Sequence, residues 1–266
     1  MADIHTLCRD LRDEHGALDR IVGEIAGPAW DIMTPAEPWT VRDQIAHLSF
    51  FDRAAHLAVT DPGGFAAELQ QAATDIEAYM NAPLQQAREQ EPDEVLDTWR
   101  QRRREMLGAF ATVAPASRIP WYGPPMSPAS FISARLMETW AHGQDIVDAL
   151  GIERDATDRL YHVAHLGVRA RPFSYVAHSR PLPEGDVRVV LTSPGGETWE
   201  WGTGDDNVVS GSALGFCLVV TQRRHPADVD LRAIGPLAQE WMSIAQCFAG
   251  PPGAGRHPGQ FPALSN

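Results

Sequence analysis

The chain has 266 residues, 44% of them apolar, enough to build one large domain or two smaller ones around a real hydrophobic core. It carries 22 Lys and Arg against 35 Asp and Glu, a net charge of −13, which argues against nucleic acid or an anionic membrane as partner, because phosphate binding needs clustered positive charge. Its three cysteines, Cys8, Cys217 and Cys247, are odd in number and far apart, so neither a disulfide framework nor a cysteine zinc site is expected.

The first 150 residues read as helices. Leu7, Leu11, Leu18, Val22 and Ile25 recur at helical spacing, and Gly27-Pro28 ends that segment. A second helix is predicted to open at Thr40, with Asp43 three residues on in a capping-box pattern, and to stop at Asp61-Pro62-Gly63-Gly64. A third, alanine-rich segment from Phe65 to Met80 is expected to break near Asn81-Ala82-Pro83. A further helix is predicted from Asp93 to about Val113, burying Leu96, Trp99, Met106, Leu107 and Phe110; its RQRRR run, Arg100 to Arg104, reads as a solvated face. The loop SRIPWYGPPMSP follows, and Ser127-Pro128 starts a helix that runs to Leu150 and stops at Gly151.

Four long helices with short or moderate connections make a bundle, expected over residues 1–152. A helical connector is expected over 153–180, with a helix from Asp155 to about Ala170 and RPFSYVAHSRPLP as linking chain. A small α+β domain is expected over 181–250: a hairpin in DVRVVLTSPGGETWEWGTG, a short helix in SGSALGFCLVVTQRR, a strand in ADVDLRAIG and a last helix in PLAQEWMSIAQCFAG. Residues 251–266 read as a flexible tail. The fold class is therefore α+β. The start of the chain is charged and lacks the apolar core of a signal peptide, and no apolar run approaches the ~20 residues of a membrane span. A cytoplasmic protein is expected.

Chemistry concentrates on the helix ARLMETWAHGQD. Residues three and four apart share a helix face. One stripe is apolar: Ile132, Leu136, Trp140, Val147 and Leu150. A second carries Arg135, Glu138, His142 and Asp145. A carboxylate and an imidazole one turn apart are a surface pair, a buried hydrogen bond or two ligands of a metal ion, and the spacing alone leaves all three open. A catalytic zinc site takes three protein ligands and keeps a position free. A bundle can bring His47, from its second helix, against Glu138 and His142. His56 lies about 180° round the same helix, and His5, His15, His162, His165 and His178 offer no comparable pairing.

The segments WTVRDQIAHLSFFD and ARLMETWAHGQDIVDALG resemble the mycothiol-dependent maleylpyruvate isomerase family, within the wider DinB-like metal-binding bundles. The matching residues are Trp39, Thr40, Asp43 and His47, then Glu138, His142 and Asp145. The resemblance spans most of the chain. WYGPPMSP and AGPPG are similar to an actinobacterial subgroup described only as metal-binding. The resemblance implies a DinB-like four-helix bundle followed by a small α+β domain, with His47, Glu138 and His142 holding zinc or another divalent metal. It also implies mycothiol as a co-substrate and an arginine from the C-terminal domain in the active site, for which Arg223 and Arg224 are the candidates. Around the ligands, Asp145 is placed to accept the free N–H of His142 or to be a surface acid, and Arg135 to pair with Glu138 or with an anionic substrate. Trp121, with Tyr122 and Met126, lines the pocket mouth or anchors the loop.

The activity implied is isomerisation of a small organic substrate through a thiol adduct, or thiol transfer to an electrophile. Metal-dependent hydrolysis and a non-catalytic metal- or ligand-binding module are the alternatives. Several DinB-like bundles dimerise, so a homodimer is a possible assembly.

Overall fold

The computed structural model describes residues 3–253 and 255–261, and the chain divides after Glu153 into two compact units. The first holds α1 (Ile4–Glu24), α2 (Val41–Thr60), α3 (Pro62–Ala72), α4 (Ile76–Arg88), α5 (Pro92–Phe110) and α6 (Pro128–Leu150). Helix α2 packs against α3, α4, α5 and α6, while α1 packs against α5 and α6. The shared core includes Leu18, Trp30, Ile45, Leu48, Trp99 and Ile146. Trp30 enters it from a 3-10 turn at Gly27–Asp31.

The capping box of α2 forms. The Thr40 N–H donates to the Asp43 carboxylate at 2.9 Å, and the Asp43 N–H donates to Thr40 Oγ1 at 3.3 Å. Arg88 of α4 grips the same carboxylate through Nε and Nη2, each at 2.9 Å. That ties the start of α2 to the end of α4.

Three expectations for this unit are corrected. The DPGG stretch ends α2 but does not open a loop: the Asp61 side chain accepts the Gly64 N–H at 2.9 Å and caps α3, with Pro62 at a first-turn position where its missing N–H costs nothing. The next break falls at Thr74-Asp75, not near Pro83. Asp75 accepts the Ala78 N–H at 2.9 Å, and the capped helix carries Pro83 in its interior. A good cap placed early outweighs one missing ladder bond later. The RQRRR run is no solvated face: Gln101 and Arg104 are exposed, but the other three arginines are partly buried. Arg100 and Arg103 both reach Asp19 of α1, Arg103 lies 4.4 Å over the Trp99 ring, and Arg102 donates to Ser49 Oγ at 3.3 Å.

The second unit holds α7 (Leu160–Arg169), α8 (Arg171–Ala177), β1 (Arg188–Thr192), β2 (Thr198–Trp201), β3 (Val208–Ser212), α9 (Ala213–Val220), β4 (Leu231–Ile234) and α10 (Pro236–Ile244). The stretch expected as linking chain contains α8, which starts with proline in its first turn. The sheet order is β2-β1-β3-β4. β1 pairs with β2 as the expected hairpin, Leu191 facing Trp199. β3 then inserts parallel to β1, Val189 opposite Val209, and pairs antiparallel with β4. Val187, Val189, Leu191 and Val209 are buried, and α9 packs on β1 and β3.

Strand β3 was not expected, because VVSGS offers two apolar residues and a glycine. The glycine is what the strand needs: Gly211 has φ 146°, and a Cβ there would meet the Asp230 carbonyl at 2.1 Å. In the terminal stretch the Gly259 N–H donates to the Asp228 carboxylate at 2.9 Å, and the Arg224 guanidinium lies 3.9 Å over the Phe261 ring. Residues 254 and 262–266, part of the expected tail, lie outside the described residues. Among the described residues, no helix is long and apolar enough to cross a membrane.

Candidate metal centre

Helix α6 is set by its ends. Ser127 accepts the Ser130 N–H at 3.2 Å and Pro128 supplies the first turn, while Gly151 closes the helix at φ 63°. Between them the apolar stripe of Ile132, Leu136, Trp140 and Val147 faces the core and is buried. The second stripe is buried too: Arg135, His142 and Asp145 have almost no exposure. Three polar residues out of water on one face need partners, and α2, packed alongside, supplies several of them.

His47 comes from the middle of α2. Its Nε2 lies 3.7 Å from Glu138 Oε2, and His142 Nε2 lies 3.1 Å from the same oxygen. The two imidazole centroids are 4.5 Å apart, and all three donor atoms fall within 4.8 Å of one another. Around a tetrahedral zinc with bonds of about 2.1 Å, donor atoms sit about 3.4 Å apart. The two measured separations bracket that figure. Two imidazoles and one carboxylate also suit zinc and its divalent neighbours chemically. The residues present therefore fit a divalent cation. Side-chain exposures of 20% for His47, 25% for Glu138 and 11% for His142 leave the cluster open on one side.

The surrounding groups fix the charge state. Burial pushes the His47 imidazole down to about 4, aided by the nearby His142 and opposed by Glu138. Burial works against ionising Glu138, but the adjacent His142 and His47 imidazoles outweigh it and hold the carboxyl well below the usual range. At neutral pH, His47 is a neutral donor and Glu138 an anion. Trp39 stacks on His142 (centroids 5.8 Å, planes 16° apart) and tilts against His47 at 4.8 Å, while Phe51 tilts against His47 at 4.6 Å.

His142 Nδ1 meets Gln44 Oε1 at 2.5 Å, so Gln44 stands where sequence spacing had offered Asp145. Gln44 Nε2 donates to Thr34 Oγ1 at 2.9 Å, and Thr34 Oγ1 donates to the Trp39 carbonyl at 2.7 Å. Asp145 is wholly buried, not a surface acid. Arg135 pairs with Asp52 of α2, at 2.9 and 3.1 Å to Oδ1. Trp121 stacks on Phe65 (centroids 5.7 Å, planes 5° apart) and lies 5.9 Å from Phe51, one ring removed from His47. Arg223 and Arg224 follow α9 in the second unit. Arg223 Nη1 donates to the Thr221 carbonyl, and Arg224 lines a cavity of about 350 Å³ within that unit.

Gln44 and Thr34 escaped the sequence reading. Gln44 precedes His47 by three residues and so shares its face of α2, which was the available signal. A glutamine beside Arg42 and Asp43 looks like ordinary surface, and Thr34 sits in a loop whose path the sequence does not give.

The family model of the mycothiol maleylpyruvate isomerase N-terminal domain matches residues 11–147. Two uncharacterized proteins, from two strains of Mycobacterium tuberculosis, are each 44% identical over 257 residues, covering 96% of this chain and 100% of theirs. Among solved structures, the mycothiol-dependent maleylpyruvate isomerase matches with a TM-score of 0.57 at 15% identity. A histidine-to-alanine mutant of that enzyme matches with 0.59 at 14%. Each covers 87% of this chain and 93% of the solved one, a likeness of fold.

Proposed function

The chain belongs to the mycothiol maleylpyruvate isomerase family, and from that membership and its His47–Glu138–His142 cluster we propose a divalent-metal-dependent enzyme that uses a low-molecular-weight thiol, such as mycothiol, on a small organic substrate. The reaction is isomerisation through a thiol adduct, or transfer of the thiol to an electrophile. Zinc is the ion the donor set suits best. The cytoplasm is the compartment in which we place it.

The observation that carries this reading is the convergence of three donors from two helices on one partly open point. When bound there, a divalent cation supplies Lewis acidity, lowering the pKa of a thiol or water and offsetting developing negative charge. The protein's own groups do the rest. Glu138 contributes a full negative charge, and His47 contributes a lone pair, because its burial keeps it unprotonated at neutral pH. Trp39 and Phe51 both pack against the His47 ring and limit its exposure to water. Arg135, one turn before Glu138, is held away from the cluster in its ion pair with Asp52.

Metal content by mass spectrometry tests the reading, with the purified protein compared to His47→Ala. Near-stoichiometric zinc, lost in the variant, supports it. Turnover is then screened with and without thiol. Activity that needs thiol supports the isomerase or transferase, and activity that needs none makes the protein a metal-dependent hydrolase. No metal after reconstitution sinks the proposal.

A further inference from the structure

Thr34, Gln44 and His142 form a hydrogen-bond chain whose direction is fixed at one end by a backbone carbonyl. The Trp39 carbonyl can only accept, and it accepts from both the Thr34 N–H at 2.8 Å and the Thr34 hydroxyl at 2.7 Å. That uses the one hydrogen the hydroxyl has. Toward Gln44, then, Thr34 Oγ1 can only accept, and the group facing it at 2.9 Å must be the amide NH₂. The amide oxygen is thereby turned to His142 Nδ1 at 2.5 Å. An amide oxygen only accepts, so Nδ1 carries the hydrogen. In a neutral imidazole the lone pair is then on Nε2, the atom that faces Glu138 at 3.1 Å.

We propose that Gln44 and Thr34 are positioning residues that lock His142 in its Nδ1–H tautomer, so that Nε2 is the nitrogen presented at the centre of the cluster. The proposal rests on the metal reading for its purpose, though not for its geometry. An outer hydrogen bond to a ligating histidine fixes ring orientation and tautomer and raises ligand basicity. Thr34 and Gln44 are both buried, at 2% and 0% exposure, so water does not compete for these bonds. The same loop hangs Trp39 on the His142 ring. Ring stacking and tautomer are thus set from one piece of backbone, the bridge between Met33 and Thr40.

The test has two readouts. The first is the His142 tautomer, taken from side-chain ¹⁵N NMR of the metal-free protein. The second is zinc affinity by chelator competition. Wild type is expected to show the hydrogen on Nδ1. Thr34→Val, nearly the same shape, frees the Gln44 amide to turn over and is expected to give a mixture of tautomers. Gln44→Leu removes the acceptor altogether. Each variant is expected to weaken zinc by roughly 10–100-fold, and Thr34→Ser, which keeps the hydroxyl, is expected to restore both readouts. Wild-type tautomer and affinity in folded Thr34→Val would overturn the proposal, as would an Nε2–H tautomer in the wild type. A wild type with the Nδ1–H tautomer but no zinc affinity would overturn the metal reading and leave the hydrogen-bond chain standing.

Discussion

Asp52 and Arg135 join α2 to α6 through an ion pair sealed from solvent. Nε and Nη2 of the guanidinium reach the same carboxylate oxygen at 3.1 and 2.9 Å, and Trp99 Nε1 donates to the other at 3.2 Å. The pair lies within two turns of His47 on one helix and one turn before Glu138 on the other, so it sets the register in which the cluster closes. Breaking a buried pair leaves a bare charge and costs about 3–5 kcal/mol, whereas replacing both partners by apolar groups is near neutral. Asp52→Ala is expected to lose that amount in urea denaturation. Asp52→Leu with Arg135→Met is expected to lose much less. Equal losses in the two would show that the pair is not the cause.

Acid stability should report on His15. This imidazole is fully buried, edge-on to Trp99 at 5.8 Å, and neither ring nitrogen has a hydrogen-bond partner among the described residues. Burial first, then the positive charges of Arg103 and Arg135, hold its pKa well below the ordinary 6.5. The unfolded chain therefore binds a proton as pH falls below 6.5, while the folded one does not. Stability is complete above 6.5 and falls below it, by up to about 1.4 kcal/mol per pH unit for this group. His15→Phe is expected to flatten that limb in a denaturation series between pH 7 and 5. An unchanged slope would remove His15 from the account.

Cation binding should appear as heat stability. A ligand at 100 times its Kd stabilises the native state by about 2.7 kcal/mol. Zinc is expected to raise Tm in the wild type and to do little in Glu138→Gln, which lacks the anionic oxygen shared by His47 and His142. The same rise in both would place the zinc elsewhere.

Asp19 tests the arginine run. Burial opposes its ionisation, but hydrogen bonds and charges from Arg100 and Arg103 outweigh that and lower its pKa. Hydrogen bonds to charged groups contribute about 1.5–3 kcal/mol, and an ordinary surface substitution changes stability by about 0.5 or less. Asp19→Ala is expected to fall in the first range, with zinc affinity unchanged. A loss of the second size would return these arginines to the surface.

Local signals were legible in the sequence. The Thr40–Asp43 box, the Ser127-Pro128 start and the Gly151 stop are written in adjacent residues, and the i, i+4 spacing of Glu138 and His142 follows from helix geometry alone. His47 was legible as a candidate through resemblance, and the structure brings it to the other two. What the sequence withheld is long-range. Nothing in RQRRR names Asp19 as its target, and nothing near Arg135 names Asp52, 83 residues away. The break at Asp75 was hidden by a more conspicuous proline, and β3 by a glycine that weakens a strand pattern while permitting the close approach of β4.

One consequence of the cluster's layout concerns time rather than space. Helix α6 by itself offers a two-donor half-site, Glu138 and His142, while the third donor and its orienting glutamine wait on α2; Gln44 and His142 are 98 residues apart. Contacts of such separation form only after a large loop has closed. A chain leaving the ribosome would carry His47 long before it had anything to share with it. On the metal reading, tight capture becomes possible only when the last bundle helix has docked, so a loaded ion would mark a finished first unit and a half-folded one would hold metal weakly.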